Sequence, residues 1–227
     1  MNTDLSESES HFPKATPHLR TMIRHYEKVL PKKDFEDLIQ EMIGMYEVCL
    51  AEFKDMPQGP DRARALHKLL EKEIRSANQL KTSCGKGCSA CCHLEVEVTT
   101  DEGDLLAERI QGGLEIDRAR LERLANRERQ SKDWAFPPRP ENSCVFLGEA
   151  GECRVYDDRP SICRKHLVTT PPLECADPKG HPHPILIPIA EIALSAILCL
   201  PNNGPKSLPK AVSESLNRPE KTIIDCL

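Results

Sequence analysis

The chain has 227 residues, 31 Lys and Arg against 36 Asp and Glu for a net charge of −5, and 11 cysteines. That length allows one compact domain with a helical extension and excludes a second full domain. The mild acidity gives no electrostatic attraction to nucleic acid or to an anionic membrane surface, and 5 Phe, 3 Tyr and 1 Trp among 30% charged residues favour a helix-rich protein over a sandwich or barrel.

Residues 1–20 are rich in Ser, Glu, Pro and His without periodicity and read as a disordered tail. Their polar start, with Asp4, Glu7 and Glu9, has neither the basic nor the apolar part of a secretory signal, so a cytoplasmic protein is expected. Residues 21–80 read as a helical extension. Within it Phe35, Leu38, Ile39, Met42, Ile43, Tyr46 and Leu50 recur at three- and four-residue spacing and predict an amphipathic helix over 34–53. Met56-Pro57-Gln58-Gly59-Pro60 breaks it, and a second helix capped by Asp61 carries Leu66, Leu69, Leu70, Ile74 and Leu80. The two are expected to pair as an antiparallel hairpin, the surface offered to a protein partner.

Residues 94–98 alternate like a short strand, and Thr99 with Glu102 makes a capping box for a helix through Leu105, Leu106 and Ile110. Gly112-Gly113 separates this helix from a second helical stretch over 114–129, and Pro137-Pro138-Arg139-Pro140 reads as a linker. The β-prone runs 144–147 and 152–156 flank Gly148-Glu149-Ala150-Gly151, predicting a β-hairpin that brings Cys144 towards Cys153. Asp157-Asp158-Arg159-Pro160 then supplies capping carboxylates and a proline for a helix whose opening turns hold Cys163. The apolar run 185–200, interrupted by Pro188 and Glu191, is short for a bilayer crossing of about 20 residues and reads as a buried helix with Pro188 in its first turn. The expected division is a tail over 1–20, the helical extension over 21–80, a cysteine-cluster domain over 81–200 and a C-terminal tail over 201–227. The fold class is mainly α with a small β-hairpin, a small α+β protein whose cysteine domain is stabilised by metal.

The cysteines are clustered. Cys84, Cys88, Cys91 and Cys92 fall within nine residues, and Cys144, Cys153, Cys163 and Cys175 follow within 32. Short spacings with Gly85 and Gly87 between them let a loop wrap an ion with its ligands turned inwards. Cys49, Cys199 and Cys226 sit on helical or apolar stretches and read as small buried hydrophobes. Neighbouring side chains diverge by about 100° on a helix and point to opposite faces of a strand, so Cys91 and Cys92 do not both serve one tetrahedral ion. Either one is a spectator or the pair serves two centres, fusing the two cysteine groups; the second is the preferred geometry. Each set of four thiolates keeps a charge of about −2 around zinc or a four-iron cluster. Lys81, Lys86, Arg154, Arg159, Arg164 and Lys165 lie near enough in sequence to offset it. His93 and His166 follow ligand candidates but read as structural, and His181-Pro182-His183-Pro184 reads as extended linker.

Cys84-x3-Cys88-x2-Cys91-Cys92, then Cys144-Val145-Phe146-Leu147, Gly151-Glu152-Cys153-Arg154-Val155-Tyr156 and Arg159-Pro160-Ser161-Ile162-Cys163-Arg164, resemble in order and spacing the CxxCxxCC family of cysteine-cluster proteins, described as zinc- or iron-chelating domains. The likeness spans about residues 80–176. Carried over position by position, it implies that Cys84, Cys88, Cys91, Cys92, Cys144, Cys153, Cys163 and Cys175 are the metal ligands, with an iron–sulfur cluster or zinc as cofactor. The family is similar in this region to the bacterial flagellin lysine N-methylase, which implies an iron–sulfur-dependent modifying enzyme as the alternative to a metal-binding protein. Radical S-adenosylmethionine enzymes use the C-x3-C-x2-C spacing on a (β/α) barrel, and no βα alternation follows Cys91 here. A Gly-rich strand-to-helix loop for a methyltransferase cofactor is also missing. Were the chain an enzyme, Tyr156, Asp157, Asp158, Arg159 and His166 would cluster at its reactive centre. The sequence assigns neither catalytic residues nor a substrate.

Overall fold

Helical periodicity along the first third of the chain becomes a set of helices gathered on one central rod. The computed structural model describes residues 7–77, 82–131, 134, 140–177 and 179–219; Cys226 and the 137–139 part of the expected linker lie outside these. Helices α1 (Glu7–Ser10), α2 (Pro17–Val29), α3 (Lys32–Lys54) and α4 (Pro60–Ala77) precede the first cysteine of the cluster. Helix α9 (Pro188–Leu198) is the rod, with every residue from Ala190 to Leu198 buried. A helix apolar on all sides has no face for water, so its neighbours must surround it. Accordingly α2, α3 and α4 all pack on α9. The two helices of the expected hairpin thus meet through α9. Among the described residues no helix is long and apolar enough to cross a membrane.

The stretch 7–20, read from composition as part of a tail, is folded here. Phe12 is fully buried with its ring 5.4 Å from that of Tyr46, and Leu19 and Ile23 join the same core as Phe35, Ile39, Phe53, Leu66 and Leu70. One aromatic anchor carries too little periodicity to stand out in a polar segment. Thr16 caps α2 by accepting from Leu19 N, and its hydroxyl donates to Glu191 Oε2 at 2.7 Å on α9. Proline at the first position of α9 sits where the missing N–H has no partner to lose.

A second core forms around α5 (Thr100–Gln111), α6 (Arg118–Ala125) and α10 (Leu208–Leu216), with Trp134, Val145 and Phe146 packed between them. The capping box at Thr99 and Glu102 forms as expected. Residues 206–216 lie in the expected C-terminal tail, yet they hold strand β4 (Lys206–Ser207) and α10, whose Leu208, Ala211 and Val212 are buried. Strand β1 (Glu97–Val98) pairs antiparallel with β4, and β2 (Leu167–Val168) with β3 (Pro184–Ile185). The expected hairpin at 144–156 contracts to one bridge between Leu147 and Cys153, flanked by Arg154 N donating to Phe146 O. The mainly α architecture with small two-stranded sheets is therefore the observed one.

Asp101 at the start of α5 holds both α4 and the residue that precedes it. Arg62 grips Asp101 through Nε and Nη2 at 2.6 and 3.0 Å, and Gly59 N donates to the same carboxylate at 2.8 Å. Helices α5 and α10 approach so closely that a Cβ on Gly103 would stand 2.8 Å from Ala211 Cβ and 3.0 Å from its backbone carbon. Gly103→Ala gains roughly 1 kcal/mol of helix propensity and is expected nonetheless to lose about 1–3 kcal/mol through overpacking. Denaturant unfolding checks this, and an unchanged or higher midpoint would refute the close-packing argument.

Candidate metal centre

Three segments with little regular structure bring the thiols together. The first runs from Cys84 into a 3₁₀ turn at Ala90–His93, curling where Gly87 takes φ of 93°. The second begins at Cys144, whose N–H donates to Cys92 O at 2.8 Å, and returns through the bridge at Cys153. The third is α7 (Ser161–Lys165), which carries Cys163 as its third residue. Helix α8 (Pro172–Ala176), with Cys175, packs on the Ala90–His93 turn.

Helix α7 lacks a side-chain cap of its own. Its first N–H, Ser161 N, donates instead to Glu102 Oε1 at 2.6 Å, and the same oxygen lies 3.0 Å from His67 Nε2. The other oxygen accepts from Thr99 N at 2.9 Å. Burial alone would push Glu102 up, but the His67 contact and the Ser161 N–H prevail and hold it at about 2. At the far end of α7, Lys165 Nζ donates to Glu191 Oε1 at 2.6 Å, both groups being buried. Cys163 is thus placed by anchors on both sides of it.

Cys88, Cys91, Cys92, Cys144, Cys153 and Cys163 line one cavity of about 290 Å³. Cys84 and Cys175 stand beside it: Cys84 Sγ accepts from Val168 N at 3.3 Å, and Cys175 interacts electrostatically with Cys84, Cys88 and Cys91. Cys163 interacts instead with Cys144, Cys91 and Cys153, and Cys92 with Cys91, Cys144 and Cys163. Cys49 is buried in the first core, and Cys199 is half-buried at the end of α9. Of the histidines weighed from the sequence, His166 lines the cavity, His93 faces a separate surface hollow, and the His181–His183 stretch is exposed.

The thiols differ in how readily they ionise. Cys91 is lowered to about 7, chiefly because Cys92 hydrogen-bonds to it, and Cys92 is raised in turn. Burial pushes Cys144 up to about 11 and Cys163 well above the ordinary thiol range. Such groups surrender their protons to a cation of high charge, since bound metal makes thiolate the favoured form. Among the described residues no group of three or more His, Cys, Asp or Glu side chains is already arranged to hold an ion. The donor chemistry nonetheless fits a thiolate-bound metal, because soft sulfur donors turned into a single cavity suit zinc and iron.

His18, Glu95 and Leu208 also line the cavity and had no sequence signal. Tyr156, Arg159 and His166, expected to cluster, do so on its wall, whereas Asp158 turns outward to Arg109 at 2.6 Å. Residues 83–178 match the family model CxxCxxCC, whose description is "Putative zinc- or iron-chelating domain". No curated protein and no solved structure matches the chain.

Because Glu102 is depressed, its stabilisation is fully present above its unfolded value of 4.5 and is lost as pH falls towards about 2. Glu102→Gln is expected to lower stability by about 3 kcal/mol at neutral pH and to flatten that acid limb. Unfolding of both proteins from pH 7 to pH 3 tests it; identical pH slopes would exclude Glu102 as the titrating anchor.

Proposed function

We propose that the CxxCxxCC domain formed by residues 83–178 holds its metal in two thiolate sets that meet at the adjacent pair, Cys84, Cys88, Cys91 and Cys175 on one side and Cys92, Cys144, Cys153 and Cys163 on the other. The division is supported by which thiols influence which: Cys175 couples to the first set, and Cys163 to members of the second. Cys91 influences members of both sets, as a residue at the seam would.

The observation that carries the metal reading is the single cavity of about 290 Å³ lined by six cysteines. A space that holds one water needs only about 10–15 Å³ of this measure, so the cavity far exceeds what a lone ion fills. We therefore favour a polynuclear iron–sulfur centre over isolated zinc ions. When bound, such a cluster would supply electron transfer. The chain's own part is to hold the sulfurs, with Leu94, Val96, Phe146, Val155 and Ile162 restricting water around them. A reducing, cytoplasmic setting belongs to the same reading, because ligand thiols have to stay reduced to bind metal.

Protein purified without oxygen should contain iron and acid-labile sulfide and be brown. Zinc without visible absorption would overturn the iron–sulfur reading and leave a thiolate zinc module. Cys144→Ala and Cys163→Ala are each expected to lower metal content by at least half, and Cys49→Ala and Cys199→Ala to leave it unchanged. Equal metal content in all four variants would sink the ligand assignment.

A further inference from the structure

We propose that Arg159 and His18 are the N–H donors to the sulfurs of the centre, an inference that rests on the metal–thiolate reading above. Thiolate sets that keep a charge of about −2 each around their metals need cations or N–H groups directed at sulfur. The sequence offers several basic residues close to the cysteines, and the structure occupies nearly all of them elsewhere. Arg154 Nη1 donates to Glu115 O at 2.6 Å, Arg164 Nε to Arg159 O at 2.8 Å, and Lys165 Nζ to Glu191. Lys86 is exposed, and Lys81 lies outside the described residues.

Arg159 is the exception. It lines the thiol cavity, and its Nε is buried without a hydrogen-bond partner among the described residues. Its neighbour Asp158 is committed to Arg109. The guanidinium carbon lies over the Tyr156 ring, 4.2 Å from the centroid, which holds the group at the cavity wall. A buried N–H without an acceptor costs about 1–3 kcal/mol, and the cavity that Arg159 lines offers it the sulfurs of Cys91 and Cys153 among its walls.

His18 reaches the same cavity from α2, outside the matched segment. Its Nδ1 is 3.4 Å from Lys165 Nζ and 3.8 Å from Glu191 Oε1. The buried Lys165–Glu191 pair thus engages Nδ1, which leaves Nε2 as the ring nitrogen for the cavity that the ring lines.

Cobalt(II) loaded anaerobically into the full-length chain tests the assignment, with affinity read by chelator competition and the sulfur-to-cobalt charge-transfer band read directly. A donated N–H lowers the energy of the sulfur lone pairs, so its removal moves that band to lower energy. Arg159→Met and His18→Ala are each expected to lower cobalt affinity by about 10- to 100-fold and to shift the band, with circular dichroism unchanged. Arg159→Lys, which keeps the charge, should recover part of the affinity, and Arg154→Met should match the wild type in both readouts. Wild-type affinity and band in Arg159→Met or in His18→Ala overturn the role given to that residue, and an equal loss in Arg154→Met overturns both by showing a general charge effect. A wild-type chain that takes up no cobalt and, purified without oxygen, carries neither iron nor zinc refutes the metal reading itself, which separates the two failures.

Discussion

The Glu102 carboxylate accepts from groups in three separate parts of the chain: His67 Nε2 on α4, Ser161 N at the start of α7, and Thr99 N and Oγ1 at its own helix cap. A buried carboxylate left without these donors would be strongly disfavoured, so each segment is held in place by the requirement that the charge be satisfied. The consequence reaches the thiols through geometry. Helix α7 is too short to be stable alone, and nucleating a single turn is unfavourable. Its N-terminal end is fixed by Glu102, and with it Cys163.

The opposite end of α7 is held by a second buried charge. Lys165 pairs with Glu191 inside the apolar α9, and Thr16 adds a hydroxyl to the same carboxylate. Ion pairs of this kind add little net stability compared with apolar packing, but they tolerate only one arrangement of their partners. Here the arrangement ties α7 to α5 at one end and to α9 at the other. Regular sheet is not needed to order the site, because two carboxylates and their donors take over the positioning that strands usually provide.

Local chemistry made much of this legible in the sequence. The capping box at Thr99 and Glu102, the proline-led α9 and the amphipathic α3 follow from short-range rules that tertiary packing did not override. The expected hairpin did not survive as strands, since its residues bend around Cys144 and Cys153 and keep only one bridge. Phe12, α10 and the second role of Glu102 were not legible. A single anchoring aromatic, a nine-residue helix opened by proline and a carboxylate shared between distant segments leave no periodic trace. At the candidate site the cysteines announced themselves by spacing, whereas His18 and Glu95 owe their place to the path of α2 and the loop before β1.

The family segment and the thiol cavity therefore do not coincide. Residues 83–178 supply the cysteines, Arg159 and Glu102, but the cavity wall also takes His18 from α2 and Leu208 from α10. Both anchors of α7 likewise depend on flanking residues, His67 on one side and Glu191 on the other. A cysteine cluster with short loops has little apolar surface to bury, so it cannot order itself by packing alone. The flanking helices provide that surface, and because α9 is buried on every side they cannot be withdrawn without exposing it. What the cysteines bind is accordingly shaped by helices that contain no cysteine of the cluster.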